Sequence, residues 1–397
     1  MSTSLVHPVS SQVSHRVHFT RGALAVGNRL LAEALAPEDK AVRGRMLVVV
    51  DQGFAAAHPA LQAELSAYFA AHRGALPELA GIRAIPGGET CKNDLSNLEW
   101  LLSEMNAQRL CRKSVVLVIG GGAVLDMAGF AAATCHRGIP LVRMPTTSLA
   151  QCDSGVGVKN AVNMFGKKNF IGAFAVPKAV VNDLDFLDAL PAGDFHAGLS
   201  EAVKVALLKD ATFFDRLEAG VARLFAREPA ACEDAIVTSA RLHLEHIALG
   251  GDPFESRAAR PLDFGHWSAH KLEQLTGYAV SHGEAVAMGL ALDMSYAELT
   301  GLCAPGLAAR TRSILAGLGL PLWHDAMGDA SLLDGLEEFR EHLGGQLTLT
   351  IPCAPGVPQN LHQVDRAKMV EALNLLADGA RQKQWPAFTP PAERSHA

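Results

Sequence analysis

The stretch Gly120-Gly121-Gly122-Ala123-Val124-Leu125-Asp126 follows an apolar run at 114–119 and leads into a helical pattern at 124–135. Strand, glycine turn and helix therefore succeed one another without a spacer. Glycines let a backbone approach an anion closely, and the free N–H groups and positive end of the following helix stabilise its charge. A dinucleotide pyrophosphate would suit such a turn. The spacing is not G-x-G-x-x-G, and tight strand-to-helix turns also use glycine for steric reasons alone. The stretch thus fixes a strand–turn–helix unit and leaves the phosphate open.

Outward from it, the same alternation repeats. Residues 45–50 read as a buried strand ending at Asp51-Gln52-Gly53, 59–72 as a helix, 81–85 as a strand and 95–108 as a helix. After the glycine-turn helix, 141–144 read as a strand running into Pro145-Thr146-Thr147. Strands alternating with helices of this length predict parallel βαβ units, an open sheet with helices on both faces. Ligands on such sheets sit beyond the carboxyl ends of the strands, where Asp51, Gly87, Glu89, Gly120, Gly121, Gly122, Thr146 and Thr147 all fall.

From about Asp183 the strand-like runs give way to helical patterns at 196–208, 211–225, 230–249, 266–276, 284–299 and 306–317. The expected fold class is α/β + α: a Rossmann-like parallel-sheet domain at 1–182, then a mostly α-helical domain at 183–397. The Pro-rich tail from about 382 is expected to fray.

At 397 residues, two domains are the natural expectation. A hydrophobic fraction of 49% with 19% charged residues argues against disorder. A net charge of −6 without a basic stripe gives no case for nucleic acid. Seven scattered cysteines without a C-x-x-C read as reduced thiols. The first 21 residues lack the apolar core of a signal peptide, and no run approaches the ~20 apolar residues of a membrane span. A soluble cytoplasmic protein is the expectation.

The second chemical signal is histidine-rich. His266 and His270 lie four apart on a predicted helix, hence on one face, and His282 opens the next helix. Glu201 and Lys204, three apart, share a face of an earlier helix. One Glu and two His with open positions compose a catalytic divalent-metal site. A chain with 16 histidines can also produce such a pair by chance, and spacing does not say which two of the three would bind. Between the halves run Asp153-Ser154-Gly155-Val156-Gly157-Val158-Lys159 and Gly166-Lys167-Lys168-Asn169. Lysines and an Asn among glycines, on loops at the sheet's ligand edge, suit an anionic phosphate.

At this point a resemblance becomes specific. G-G-G-A-V-L-D-M-A-G-F-A-A-A-T-x-x-R-G-I-P from Gly120, P-T-T-S-L-A-Q-x-D-S-G-V-G-V-K from Pro145 and G-K-K-N-x-I-G-A-F from Gly166 are followed by S-E-A-V-K, F-G-H-x-x-x-H and H-G-E-A-V. In order, from about Asp51 to Met288, these motifs resemble the 3-dehydroquinate synthase family of sugar phosphate cyclases. Within it they are most similar to the cyclase-like proteins of the Ebo gene cluster. The resemblance implies tightly bound NAD, a zinc or cobalt ion, and conversion of a sugar phosphate to a carbocycle without net redox change. It implies metal ligands Glu201, His266 and His282. It implies NAD contacts at Asp51, Glu89, Lys92, Gly121, Gly122, Asp126, Thr146, Thr147, Lys168, Phe186, Leu187, Asp188 and Ala189. Phosphate-binding and catalytic groups fall on Asp153, Lys159, Asn169, Lys204 and His270. Arg137 matches an arginine lent to a neighbouring subunit's phosphate, which implies a homodimer.

The departures cluster on one function. Dehydroquinate synthases carry Asn where Asp263 stands, and a carboxylate-clamping lysine where His243 stands. The clamp's arginine position is Ala259, with Arg257 and Arg260 nearby, and a lysine-rich C-terminal segment is replaced by Phe339-Arg340-Glu341-His342. The groups that read a carboxylate have changed, while NAD and metal positions remain. A substrate lacking the carboxylate, such as sedoheptulose 7-phosphate, is therefore expected, as in valiolone-type cyclases. The alternatives are a metal-dependent NAD polyol or glycerol-phosphate dehydrogenase, and a non-catalytic family member.

Overall fold

The computed structural model describes residues 4–7, 12–37, 44–250, 252–254 and 260–389. Its first half holds strands β1 (Val17–Thr20), β2 (Arg45–Asp51), β3 (Glu78–Ile85), β4 (Val115–Gly120) and β5 (Leu141–Pro145). After a hairpin, β6 (Lys159–Met164) and β7 (Lys167–Phe174), comes β8 (Ala179–Asp183). Helices α1 (Leu30–Leu35), α2 (Gln52–Ala57), α3 (Leu61–Ala71), α4 (Leu95–Ala107) and α5 (Gly122–Thr134) lie between them. The second half contains α6 (Ala192–Lys209), α7 (Ala211–Phe225), α8 (Pro229–Leu249), α9 (His266–Leu275), α10 (His282–Leu299), α11 (Leu307–Gly317), α12 (Gly335–His342) and α13 (Arg366–Arg381). A second hairpin, β9 (Leu349–Ala354) and β10 (Val357–Leu361), precedes α13. Among the described residues no helix is long and apolar enough to cross a membrane.

The sheet is parallel and six-stranded, in the order β1-β8-β5-β4-β2-β3. Period-two alternation feeds two cores. Met46, Val48, Val50, Leu117 and Ile119 pack with α1 and α3 on one face. Leu47, Val49, Val116 and Val118 pack with α4 and α5 on the other. From β2 the chain steps outward to β3, then returns to the other side of β2 as β4. That reversal opens a crevice at the carboxyl ends of β2 and β4, the binding position of doubly wound sheets. Asp51 and Gly120 stand there. The helical half has its own core, built on α6, α9, α10 and α13.

Four readings need correction. The sheet has two strands beyond the four expected, β1 and β8, so the glycine turn follows the fourth strand of the chain. β1 is only four residues within a polar stretch, too short for a periodic signal. The segment carrying Lys159, Lys168 and Asn169 is an antiparallel hairpin rather than loops. Its turn, Phe165-Gly166, has φ of 54° and 71°, the geometry of a two-residue hairpin turn without the usual Asn-Gly signal. The helical half is not free of strands, since prolines at 352 and 358 disguise β9 and β10. Finally, the tail does not fray at 382: Trp385 and Phe388 pack on the helical core. Residues 390–397 lie outside the described residues, as do Arg257 and Ala259.

Candidate active site

Three elements converge where the sheet's carboxyl edge meets the helical half. On α6, Glu201 and Lys204 are both buried and form an ion pair. Glu201 Oε1 lies 3.6 Å from His266 Nε2 and 3.8 Å from His282 Nε2. The ligand nitrogens of His266, His270 and His282 all lie within 4.8 Å of one another. The structure therefore gathers all three histidines.

Hydrogen bonds fix how two of these rings point. His266 Nδ1 meets the Phe264 carbonyl at 3.0 Å, and His282 Nδ1 meets Glu273 Oε2 at 3.1 Å. Both partners only accept, so Nδ1 carries a proton, and in the neutral ring Nε2 offers its lone pair toward Glu201. Burial and then the Lys204 charge hold His266 well below the usual imidazole range; burial and then Lys168 do the same for His270. Burial raises the Glu201 carboxyl well above its ordinary value, and Oε1 accepts no hydrogen bond. Neutral imidazole lone pairs and a buried carboxylate oxygen facing one another form the donor set of a divalent cation. The residues fit a metal.

Close backbone approach makes the convergence possible. A Cβ on Gly283, beside His282, would lie 2.2 Å from the Ala197 carbonyl oxygen of α6. One on Gly289 would lie 2.0 Å from the carbonyl oxygen of Gly265, beside His266. Only glycine lets α10 touch both partners.

Next to the metal cluster, Lys204 Nζ donates to Asp153 Oδ2 at 3.0 Å, and His243 Nδ1 pairs with the other oxygen. Burial works against the Asp153 carboxylate, but Lys204 and His243 outweigh it and hold its pKa well below normal. Lys159 Nζ stands 4.0 Å from Asp263. Arg143, fully buried in β5, donates to the carbonyls of Gly155, Gly157 and Lys159 and to Asn160 Oδ1 at 2.7–3.1 Å. Burial lowers its pKa to about 10. It holds the 153–160 segment in shape.

At the carboxyl ends of β2 and β4, Gly121 is the N-cap of α5 and makes no side-chain cap. A Cβ on Gly122 would lie 2.6 Å from the buried Ser154 hydroxyl, and one on Gly87 2.6 Å from Asp51 Oδ1. These glycines serve close approach; their φ values are not left-handed. Asp51 Oδ1 caps α2 through Gly53 and Phe54. Thr146 N–H donates to the Gly120 carbonyl, and Thr147 Oγ1 accepts from Ala150. Buried Lys92 binds Asp126 at 3.0 Å, Glu89 at 3.4 Å and Asn169, while Glu89 also accepts from Asn163.

Some expected residues lie elsewhere. The side chains of Phe186 and Leu187 are core residues, Phe186 packing 4.8 Å from the Phe54 ring, so only Asp188 and Ala189 face outward. Lys168 is committed to Glu273 at 2.7 Å. Arg137 is exposed at the end of α5, where it makes no side-chain hydrogen bond or ion pair among the described residues. Three residues escaped the sequence reading: Arg143, Glu273 and Gly289. Glu273 was within reach, because His266, His270 and Glu273 follow the i, i+4, i+7 stripe of one helix face.

Two family descriptions match consecutive stretches of the chain: the 3-dehydroquinate synthase N-terminal domain at residues 82–197 and the C-terminal domain at 198–339. The chain belongs to the 3-dehydroquinate synthase family. It is 38% identical over 385 residues to the 3-dehydroquinate synthase of Paracoccus denitrificans, covering 94% of this chain and 97% of that one. It is 36% identical over 336 residues to a 2-epi-valiolone synthase of Actinosynnema mirum, covering 83% and 85%. Among solved structures it resembles ValA, a 2-epi-5-epi-valiolone synthase of Streptomyces hygroscopicus with NAD+ and Zn2+ bound. That match has a TM-score of 0.85 at 29% identity and covers 94% of this chain and 99% of the other.

Proposed function

We propose that this chain is an NAD- and zinc- or cobalt-dependent sugar phosphate cyclase, a phosphate-eliminating lyase acting on a heptulose phosphate without a carboxylate, such as sedoheptulose 7-phosphate. One observation carries the substrate choice: the candidate clamp groups are engaged within the protein. His243 pairs with Asp153, Arg260 lies 2.7 Å from His342 Nε2, and Arg340 binds Glu337 and the Gly345 carbonyl. Asp263 adds a negative charge beside Lys159.

In this reading the sheet half, 1–182, holds the dinucleotide and the helical half, 183–397, holds metal and substrate. The uncapped start of α5 receives the pyrophosphate, and the carboxylates of Asp51 and Glu89 meet ribose hydroxyls. Glu201, His266 and His282 hold the divalent ion. When bound, the ion supplies Lewis-acid polarisation of a ring hydroxyl and NAD a reversible hydride acceptor. Lys204, held protonated between Asp153 and Glu201 against the cost of burial, presents a fixed positive charge to developing negative charge on the substrate. In this reading Lys159, Asn169 and His270 bind the phosphate, and Arg137 completes a partner's site in a homodimer.

Incubation with NAD, Zn2+ or Co2+ and a panel of sugar phosphates tests this by phosphate release and mass spectrometry of the product. A cyclase releases phosphate over many turnovers with no net NADH absorbance, whereas a polyol dehydrogenase accumulates NADH. Efficient formation of dehydroquinate from the carboxylated heptulosonate phosphate would overturn the substrate choice.

A further inference from the structure

Glu273 is buried on α9 and has two partners from different parts of the molecule. Its Oε2 accepts from His282 Nδ1 at 3.1 Å, and its Oε1 accepts from Lys168 Nζ of the β6–β7 hairpin at 2.7 Å. Lys168 is itself largely buried, its side chain 10% exposed. A buried carboxylate shared between a lysine and a metal-facing imidazole does two things. It fixes the ring's tautomer and orientation, and it ties one element to the metal site. From this geometry we infer that Glu273 is a positioning residue of the metal centre. It holds His282 with Nε2 toward Glu201, and through Lys168 it couples the hairpin to that ligand. The inference rests on the metal reading above.

The hairpin is where the coupling would matter, since Asn169, next to Lys168, accepts from Lys92, which is bound to Asp126 at the start of α5. The dinucleotide end and the metal end are thus joined through adjacent residues of one strand.

The test uses the full chain and two independent readouts. Co2+ affinity is measured by competition with a chromogenic chelator, and the tautomer of His282 by long-range 1H–15N spectra of the metal-free protein. Glu273→Gln is expected to weaken Co2+ binding about 10–100-fold, the usual cost of losing such a partner. The same variant should move His282 from a single Nδ1–H form to a tautomer mixture. Glu273→Asp keeps the charge but retracts it by one methylene, so it should fall between wild type and Gln, and it replaces the Gln variant if that fails to fold. Wild-type Co2+ affinity with an unchanged His282 tautomer in both variants would overturn the inference. A wild-type protein that binds no Co2+, yet shows the Nδ1–H tautomer lost in Glu273→Gln, would defeat the metal reading while supporting the role of Glu273.

Discussion

Replacing Asp263 with Asn restores the residue found in dehydroquinate synthases and isolates one charge. Asp263 lies 4.0 Å from Lys159 Nζ, with side-chain exposures of 14% and 52%. At that distance the Coulomb energy is about 4 kcal/mol at an effective dielectric of about 20, and about 1 kcal/mol in water. Because half of the Lys159 side chain is in solvent, the lower end of that range applies, about 1 kcal/mol or less after screening. Removing the aspartate removes a repulsion of similar size toward an incoming carboxylate. The ratio of kcat/KM for the carboxylated heptulosonate phosphate over sedoheptulose 7-phosphate should rise about 2–5-fold at low salt. At high salt, where the screening length is about 3 Å, the gain should shrink. Phosphate binding contributes to both substrates and cancels in the ratio. An unchanged ratio would mean that the Asp263 charge does not reach the carboxylate, and the electrostatic account of selectivity would be wrong.

Three further perturbations address the architecture. Gly289→Ala places a methyl 2.0 Å from the Gly265 carbonyl, so α10 must move away from the His266 turn; denaturation should show a loss of about 1–3 kcal/mol or more, and metal content should drop with it. Arg143→Met leaves the carbonyls of Gly155, Gly157 and Lys159 without their donor, at about 1–3 kcal/mol for each one left buried; KM should rise while metal is retained, and an unaltered KM would argue against its hold on the 153–160 segment. Asp293, which accepts from Trp267 Nε1 and Gly265 N, is pushed by burial to about 7. A raised carboxyl pKa means that the folded state binds more protons between about pH 4 and 7, so stability falls as pH rises through that window, by a total on the order of 4 kcal/mol. Asp293→Asn should remove that slope from urea denaturation curves, and an identical slope would count against the burial argument.

The middle of the sheet, β2, β4 and β5, was legible because those strands are buried on both faces. Continuous apolar runs such as Met46 to Val50 and Val115 to Ile119 have no other stable use between helical patterns. β1 was not legible, because Val17–Thr20 is an edge strand whose pairing with β8 is a long-range event. The candidate metal ligands were legible as residue types at helical spacing. What decides their geometry was not. Gly283 and Gly289 look like ordinary helix glycines until α6 and the Gly265 turn are seen against them. Arg143 reads as an oddity in an apolar strand, and its partners are carbonyls that no sequence pattern marks.

Among the described residues, two ion pairs bridge the β6–β7 hairpin and the helical half, and their burial differs. Lys168–Glu273 has exposures of 10% and 2%, so breaking it strands a charge in the interior, at a cost of about 3–5 kcal/mol. No ordinary ligand contact offsets that, and the pair acts as a fixed tie beside His282. Lys159–Asp263, longer and half in solvent, is worth about 1 kcal/mol or less to the folded chain. In the proposed reading an anionic substrate group competes with Asp263 at little cost. The hairpin thus carries one lysine committed to the interior and one whose pair with Asp263 contributes little. In that reading the metal end stays rigid while the substrate end exchanges partners.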